Sequence, residues 1–225
     1  MTDTSVRAVY FPERDALTCR AKPDRLQHPA PHLDTDMQTA SRTGGIGILI
    51  TGLPAAGKTT LGIALTEVLR NRYGRSVTLL DGDEVRRLLS SELGYSREHR
   101  RLNVLRHGYL ATEVCRHGGI AVCSLIAPYT ADRAEMRAQL SRYGTFVEVY
   151  LSTPLAVCVQ RDPKGLYARA RAGTLMHMTG VDDPYEPPGS PELELNGGEL
   201  SVAQTVESVT SLLRQRGLLN EERSA

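Results

Sequence analysis

The stretch "ITGLPAAGKTTLGIAL", Ile50 to Leu65, joins an apolar run to an amphipathic one through a bend that contains glycine, proline and lysine. Gly52, Gly57, Lys58 and Thr59 have the spacing of the phosphate-binding P-loop, G-x-x-x-x-G-K-[ST], between a predicted strand and a predicted helix. Glycines let main-chain N–H groups turn toward phosphate oxygens, and the helix N-terminus adds its positive end. The alternative is a structural glycine-rich turn, but a strand that ends in a flexible bend and a lysine is poor core material. The stretch therefore predicts a site for nucleotide phosphates.

From Gly45 onward, continuous apolar runs alternate with segments of helical periodicity. The predicted strands are 45–52, 76–83, 119–128, 145–153 and 192–196. The predicted helical segments are 58–73, 84–117, 131–142, a helix that starts near Pro154, and 201–216 with Ser201 as N-cap. Apolar strands separated by helices indicate a parallel sheet covered on both faces. We therefore predict an α/β protein, a three-layer α/β/α P-loop NTPase fold with a mainly parallel five-stranded sheet.

Composition and charge narrow the classes of function. The 225 residues include 27 basic and 26 acidic side chains, a formal net charge of +1, so no overall field draws the chain to nucleic acid or to a membrane surface. No apolar run reaches the ~18 residues of a membrane span, and the N-terminus lacks the apolar core of a signal peptide. We therefore expect a cytoplasmic protein that binds neither nucleic acid nor membrane.

The four cysteines are far apart in sequence and form no CxxC pair. Three of them lie in apolar segments, which favours small buried thiols over a metal or redox site. The four are Cys19, Cys115, Cys123 and Cys158.

Two aspartates end the second predicted strand in "LLDGDEVRRLL". Asp81 and Asp83 would face the P-loop, because ligands of parallel sheets bind beyond the carboxyl ends of the strands. Such a pair suits magnesium coordination and activation of an attacking hydroxyl. The alternative is a solvated turn, since Asp-Gly is an ordinary turn dipeptide.

Several further motifs occur in one order and at one spacing: "GLPAAGKTT", "DGDEVR", "LGYS", "SLIAPY", "RDPKGLYARARAG" and "TGVDDPYE". Over about 45–216 they resemble the adenylyl-sulfate kinase (APS kinase) family. The resemblance implies phosphorylation of the 3′-hydroxyl of adenosine 5′-phosphosulfate (APS) by ATP with Mg²⁺, giving 3′-phosphoadenylyl sulfate. It also implies a homodimer and a functional link to an ATP sulfurylase.

The resemblance assigns a role to each matching residue. Its catalytic residues would be Lys58, Asp81, Asp83 and Lys164, with Thr59 and Asp81 as metal ligands. Its ATP-binding residues would be Gly52, Leu53, Pro54, Ala55, Ala56, Gly57, Lys58, Thr59, Thr60, Arg171 and Leu200. Its APS-binding residues would be Asp83, Glu84, Arg86, Tyr95, Arg100, Asn103, Ile126, Ala127, Lys164, Met178 and Thr179. Several arginines and a lysine at one cleft suit an anionic nucleotide, although for any single arginine a solvated helix face is the better interpretation.

The resemblance also predicts the domain boundaries. Residues 1–44 follow no helical period, so we expect an N-terminal arm or a disordered leader there. We expect a kinase domain at 45–218 and a polar tail at 219–225. Within the domain, the segment rich in glycine, proline and aspartate at about 162–190 would be a mobile lid that excludes water.

Four positions depart from the family pattern, mostly on the acceptor side. Glu84 follows Asp-Gly-Asp where asparagine is usual, and would repel an anionic sulfate unless it points away or pairs with a neighbouring arginine. Tyr95 and Met178 stand where phenylalanines would enclose the substrate adenine, and Ala127 stands in place of a serine. The departures keep two alternatives open: a related kinase redirected to another hydroxyl, and a non-catalytic nucleotide-binding regulatory domain.

Overall fold

Five parallel strands form the centre of residues 44–220, the part of the chain that this computed structural model describes. The strands lie in the order β2-β3-β1-β4-β5, and all four neighbouring pairs are parallel. Their bounds are β1 Gly45–Gly52, β2 Val77–Asp81, β3 Ile120–Ser124, β4 Gly144–Leu151 and β5 Leu193–Leu195. The helices are α1 Lys58–Asn71, α2 Gly82–Leu89, α3 Arg97–Arg116, α4 Thr130–Leu140, α5 Leu155–Arg161, α6 Leu166–Arg171 and α7 Val202–Gln215.

Side chains of β1 supply the core on both faces of the sheet. Ile46, Ile48 and Ile50 pack with α1 and α7 on one face, while Leu49 packs with α3 and α4 on the other. All four are fully buried, as expected for alternate residues of a central strand covered on both sides. The predicted three-layer α/β/α fold is confirmed.

Parallel pairing brings the polar strand ends to one edge. Leu80 pairs with Cys123 and Asp81 with Ser124, while Ile50 of β1 pairs with the same Ser124. The first three strands therefore end together, and the P-loop and the aspartate turn emerge side by side.

The predicted helical segment 84–117 is in fact two helices. It breaks at residues 90–96, and α3 restarts at Ser96, whose side chain accepts a hydrogen bond from the backbone N–H of His99. The closing helix has the predicted N-cap: the Ser201 hydroxyl and the Gln204 side chain form a capping box. A serine N-cap thus begins each of these two helices.

The described residues include only a small part of the predicted arm and of the predicted tail. The predicted arm at 1–44 lies outside the described residues except for Gly44. At the other end Leu219, predicted to begin the polar tail, is 5% exposed and belongs to the core beside α1 and α7. Residues 221–225 of that tail are not described.

The thiols of Cys115, Cys123 and Cys158 are free and buried, as predicted, and Cys19 lies outside the described residues. Burial raises the pKa of Cys115 to about 11, which keeps this thiol protonated at neutral pH. Between residues 44 and 220, none of the helices combines the length and apolarity that crossing a bilayer requires.

Candidate active site

A cleft of about 920 Å³ opens at the carboxyl ends of β1, β2 and β3. Its walls come from the P-loop, the turn after β2, helix α3, the loop after β3 and the segment that follows α5. A cleft of this size accommodates ligands as large as nucleotides. Most of the predicted site residues meet here, although they span more than half of the sequence.

The P-loop backbone is shaped for an anion. Gly52 has φ 149°, and a Cβ on it would lie 2.7 Å from the carbonyl oxygen of Leu151. Gly57, the N-cap of α1, has φ 107° and gives the first turn no side-chain cap. That turn also contains no acidic residue, so its N–H groups and the positive end of α1 face the cleft without a competing carboxylate.

Lys58 lies at the start of α1 with its side chain folded back over the P-loop. Its Nζ donates to the carbonyl oxygens of Gly52 (3.1 Å) and Leu53 (2.7 Å). Burial lowers the pKa of Lys58 from 10.5 to about 8, and Asp83 and Asp81 nearby oppose that shift. A phosphate bound in the loop would offer this ammonium a better partner than two neutral carbonyls.

Thr59, Asp81 and Asp83 form one hydrogen-bonded cluster. The Thr59 hydroxyl donates to Asp81 Oδ2 (2.7 Å), and Asp81 Oδ1 accepts from the backbone N–H of Asp83 (3.0 Å) as the N-cap of α2. Within residues 44–220, no group of three or more histidine, cysteine or acidic side chains could enclose a metal ion. One hydroxyl and one carboxylate nevertheless fit Mg²⁺ as kinases hold it, since substrate phosphates and water supply its other ligands.

Lys164, in the loop between α5 and α6, reaches across to the Asp83 carboxylate and forms an ion pair with it. Both side chains are well exposed, at 58% and 70%. The predicted lid is therefore tied at its first turn to the aspartate turn.

Arginine and tyrosine side chains build the opposite wall. Arg100 is 7% exposed and donates to the carbonyl oxygens of Tyr95 and His177, while Asp183 lies 3.5 Å from its Nε. Burial lowers the pKa of Arg100, and the charge of Asp183 opposes that shift. The guanidinium carbon of Arg86 lies 4.7 Å from the centre of the Tyr95 ring. These cations make this half of the cleft suitable for an anionic ligand with a planar ring.

Two buried polar atoms on the same wall lack hydrogen-bond partners among the described residues. They are Asn103 Oδ1 and Thr179 Oγ1, and both residues line the cleft. Buried polar groups are rarely left unpaired, so each is a candidate contact for a bound ligand.

The loop after β3 closes the floor of the cleft. The carbonyl oxygen of Ile126 accepts from the Thr51 hydroxyl (2.6 Å), and Ala127 has φ 41°, unusual for a residue with a Cβ. Met178 is 5% exposed, lines the cleft, and is held through its N–H by Asp182 (2.6 Å).

Four predicted site residues do not line the cleft. Glu84 is exposed on α2, and Arg171 is exposed at the end of α6. Gly52 and Leu53 begin the P-loop, and their carbonyl oxygens accept hydrogen bonds from Lys58. The remaining predicted residues, including Pro54, Ala55, Ala56, Thr60 and Leu200, line it.

The structure also brings residues to the cleft that the sequence did not single out. Arg161 donates to the carbonyl oxygen of Gly197 (2.7 Å) beside the P-loop, and His177 lies next to Met178 with φ 59°. Val202 and Thr205 of α7 complete the apolar end. Arg161 belongs to the quoted motif "RDPKGLY", which could have indicated it, whereas only the fold brings α7 to the site.

Comparison with known proteins agrees with this arrangement. The family profile described as Adenylylsulphate kinase matches residues 44–196. An adenylyl-sulfate kinase of Synechococcus sp. (strain JA-3-3Ab) is 47% identical over 175 residues, covering 78% of this chain and 97% of that protein. A sulfate adenylyltransferase of Neurospora crassa is 41% identical over 176 residues, which are 78% of this chain and 31% of that protein.

A solved structure is similar to this chain as well. The structure of a Mycobacterium tuberculosis APS kinase in complex with AMPPNP and APS aligns with a TM-score of 0.71 at 35% identity, covering 76% of this chain and 99% of the other. The family resemblance predicted from the motifs is thus confirmed, and this chain belongs to the adenylyl-sulfate kinase family.

Proposed function

We propose that this chain transfers the γ-phosphoryl group of ATP to the 3′-hydroxyl of APS, giving ADP and 3′-phosphoadenylyl sulfate. The observation that carries the proposal is one cleft in which a P-loop faces an aspartate pair and an arginine-rich wall. The Synechococcus relative and the Mycobacterium tuberculosis protein named above are adenylyl-sulfate kinases. In the reaction, the bond between the γ-phosphorus and the bridging oxygen of ADP breaks, and a bond to the ribose 3′-oxygen forms.

On the donor side, the residues bind and orient the triphosphate. The N–H groups after Gly52 and the first turn of α1 surround the phosphates, and Lys58 leaves the loop carbonyls to contact the phosphate oxygens. Thr59 and Asp81 would hold Mg²⁺, which neutralises phosphate charge when bound. Leu200 and Val202 give the adenine an apolar contact.

On the acceptor side, Asp83 would accept the proton of the attacking hydroxyl, because it is the exposed carboxylate next to the metal residues. Lys164 would move from Asp83 to the transferring phosphoryl group as the lid closes over the substrates. Arg86 and Arg100 would bind the phosphosulfate, and Tyr95 and Met178 would contact the adenine from two sides.

The experiment is a coupled assay of ADP release with ATP, Mg²⁺ and APS. APS-dependent turnover, with product phosphorylated at the 3′-position by NMR, supports the proposal. Calorimetric binding of an unreactive ATP analogue without any APS-dependent turnover would contradict it. Lys58→Ala, which removes the main cationic contact of the γ-phosphate, is the inactive control.

A kinase redirected to another nucleotide or to a specialised-metabolite hydroxyl is the second candidate. It is favoured by Met178 on the acceptor wall and by Ala127, whose methyl group leaves the floor without a hydroxyl. A panel of nucleoside phosphate acceptors separates the two functions: APS should have the highest kcat/KM, and a poor rank for APS would favour the second. A non-catalytic regulatory domain, the third candidate, is disfavoured by the intact Lys58 and aspartate pair.

We further propose a cytoplasmic homodimer that works beside an ATP sulfurylase. The Neurospora crassa relative, of which this chain covers less than a third, supports the link to an enzyme that makes APS. Light scattering of the purified full chain tests the dimer. To test the link, a purified ATP sulfurylase is passed over the immobilised protein, and the sulfurylase activity retained is measured.

A further inference from the structure

Arg133, on α4, is one of the most buried cations of the described chain, at 3% exposure. It does not line the cleft. Its Nη1 donates to the carbonyl oxygen of Ala127 (2.8 Å), and its Nη2 donates to that of Glu186 (2.8 Å). One guanidinium thus joins the floor of the acceptor site to the residues that end the lid.

The two segments joined by Arg133 also bond to each other. The N–H of Glu186 donates to the carbonyl oxygen of Pro128 (2.9 Å), and the Glu186 carboxylate accepts from the N–H of Thr130 (2.7 Å). A short distance away, the Thr51 hydroxyl bonds both the Ile126 carbonyl and the Tyr185 hydroxyl. The floor and the end of the predicted lid are therefore one hydrogen-bonded unit.

The conformation of the floor needs such support. Ala127 has φ 41°, which a residue with a Cβ adopts only when its surroundings hold it there. Arg133 binds the carbonyl oxygen of that same residue. Glu186 follows Asp183 by three residues, and Asp183 pairs with Arg100 of the acceptor wall, so a shift of this segment would reach the substrate arginine.

The charge of Arg133 is matched by Glu148 on β4, whose carboxylate lies 2.9 Å from its Nε. With the Thr130 hydroxyl 3.2 Å from Nη2, the guanidinium makes three hydrogen bonds and one ion pair. A lysine keeps the charge beside Glu148 but lacks the rigid planar fork whose two terminal nitrogens each bond one of these carbonyls.

We propose that Arg133 is a positioning residue for the acceptor nucleotide. It fixes the position of the Ala127 floor relative to the end of the predicted lid, and so sets the affinity for APS while leaving ATP binding unchanged. The inference rests on the proposed function. Neither carbonyl lies on the P-loop, and the P-loop contacts of Lys58 and Thr59 do not involve Arg133. A residue that served stability alone would affect both substrates or neither.

Helix α4 offers a matched control one turn later. Arg137 pairs with the same carboxylate, Glu148 (3.1 Å), and with Glu192 (2.7 Å), but it bonds neither the floor nor residue 186. Arg133→Lys and Arg137→Lys therefore disturb the same buried charge cluster, and only the first removes the guanidinium fork that bonds Ala127 and Glu186.

The experiment measures the KM for APS, the Kd of an unreactive ATP analogue and the melting temperature of wild type and both variants. Arg133→Lys should raise the KM for APS about tenfold or more, with the Kd of the analogue within about twofold of wild type. Arg137→Lys should leave both constants unchanged, whatever it does to the melting temperature. A wild-type KM for Arg133→Lys, an equal rise in both variants, or an equal loss of affinity for the analogue would each overturn the inference.

Two further measurements keep the result decisive. Wild-type turnover with APS is measured first, because its absence contradicts the proposed function and not the role of Arg133. Should Arg133→Lys fail to fold, the double variant Arg133→Gln/Glu148→Gln is used. It removes the guanidinium that contacts Ala127 and Glu186, and it also removes the Glu148 charge that would otherwise lose this partner. The same tenfold rise in the KM for APS with unchanged analogue binding is required of it, and a wild-type KM would overturn the inference.

Discussion

The ammonium group of Lys164 and the carboxylate of Asp83 form an ion pair beside the P-loop, although 81 residues separate them in the chain. The pair joins the start of the predicted lid to the proposed proton acceptor. Exposed pairs of this kind contribute little to stability, about 0–1 kcal/mol. Its value therefore lies in position: it holds a cation where the phosphoryl group would be transferred, and it releases the carboxylate when that cation moves.

Replacing Lys164 should affect chemistry and leave folding intact. Lys164→Met should lower kcat by about 10- to 100-fold, because the developing charge on the phosphoryl oxygens loses a cation. Its melting temperature should remain near wild type, since exposed substitutions change stability by about 0.5 kcal/mol or less. Single-turnover kinetics measures the loss in the rate of phosphoryl transfer, and thermal unfolding measures the melting temperature.

The matched control for Lys164 is Arg171→Met, on the same lid segment but off the cleft. It should leave kcat and the Kd of an ATP analogue unchanged. Weaker analogue binding by this variant would show that the lid carries Arg171 to the nucleotide on closure, as the family resemblance predicts.

The neighbours Asp83 and Glu84 provide a second contrast. Both are exposed acidic residues in the first turn of α2, but only Asp83 lines the cleft. Asp83→Asn should lower kcat by about 10²- to 10⁴-fold, as expected for loss of a general base, with the Kd of an ATP analogue little changed. Glu84→Gln should have wild-type kcat and KM. Equal losses of kcat and analogue affinity in Asp83→Asn, or a lower KM for APS in Glu84→Gln, would contradict these assignments.

Some features of the fold and the site could be predicted from the sequence, and others could not. The sheet could be predicted because its central strand is continuously apolar, and the P-loop because its glycines and lysine have a fixed spacing that backbone geometry requires. Which neighbour faces the site was harder to predict. Successive helix residues point about 100° apart, so Asp83 can line the cleft while Glu84 does not. Arg169 and Arg171, two residues apart, point about 200° apart, and only Arg169 lines the cleft.

Contacts between distant segments could not be predicted from spacing at all. The approach of α7 to the apolar end of the cleft, and the contacts of Arg133, depend on tertiary packing of elements far apart in sequence. Local signals likewise predicted one helical segment over 84–117, because polar helix-forming residues continue on both sides of the break at 90–96.

Nucleotide binding should depend on pH through Lys58. Its pKa of about 8 in the nucleotide-free protein means that the ammonium loses its charge as the pH rises through 8, and the contact with the phosphates weakens. The affinity for an unreactive ATP analogue should therefore fall between pH 8 and 9.5, and binding near pH 8 should take up protons. Calorimetry in buffers of different ionisation enthalpy measures that uptake. In Lys58→Ala, the weaker residual affinity should not change over this range, and a wild-type pH dependence in that variant would assign the effect to another group.

The same shift predicts the sign of a stability effect. Between the folded-state pKa of about 8 and the ordinary value of 10.5, the unfolded chain binds more protons than the folded one at this site. The contribution of Lys58 to the free energy of unfolding therefore increases as the pH rises through this range. Below pH 8 the buried charge opposes folding in full. Lys58→Met should remove this contribution, so urea titrations should show the variant gaining stability relative to wild type at pH 7 and less so at pH 10.

Met178→Phe tests whether the acceptor wall encloses an adenine. Met178 is buried beside the cleft and Tyr95 is half exposed, so a flat side chain at 178 would add a second aromatic face for the base. The KM for APS should fall a few-fold, while the larger ring lowers stability by about 1–3 kcal/mol in a packed position. The control is Val181→Phe, three residues later, half exposed and off the cleft, which should change neither the KM for APS nor the stability. If Met178→Phe leaves the KM for APS unchanged but improves turnover of a different nucleoside phosphate, the wall binds another acceptor, and the redirected kinase becomes the better description of this site.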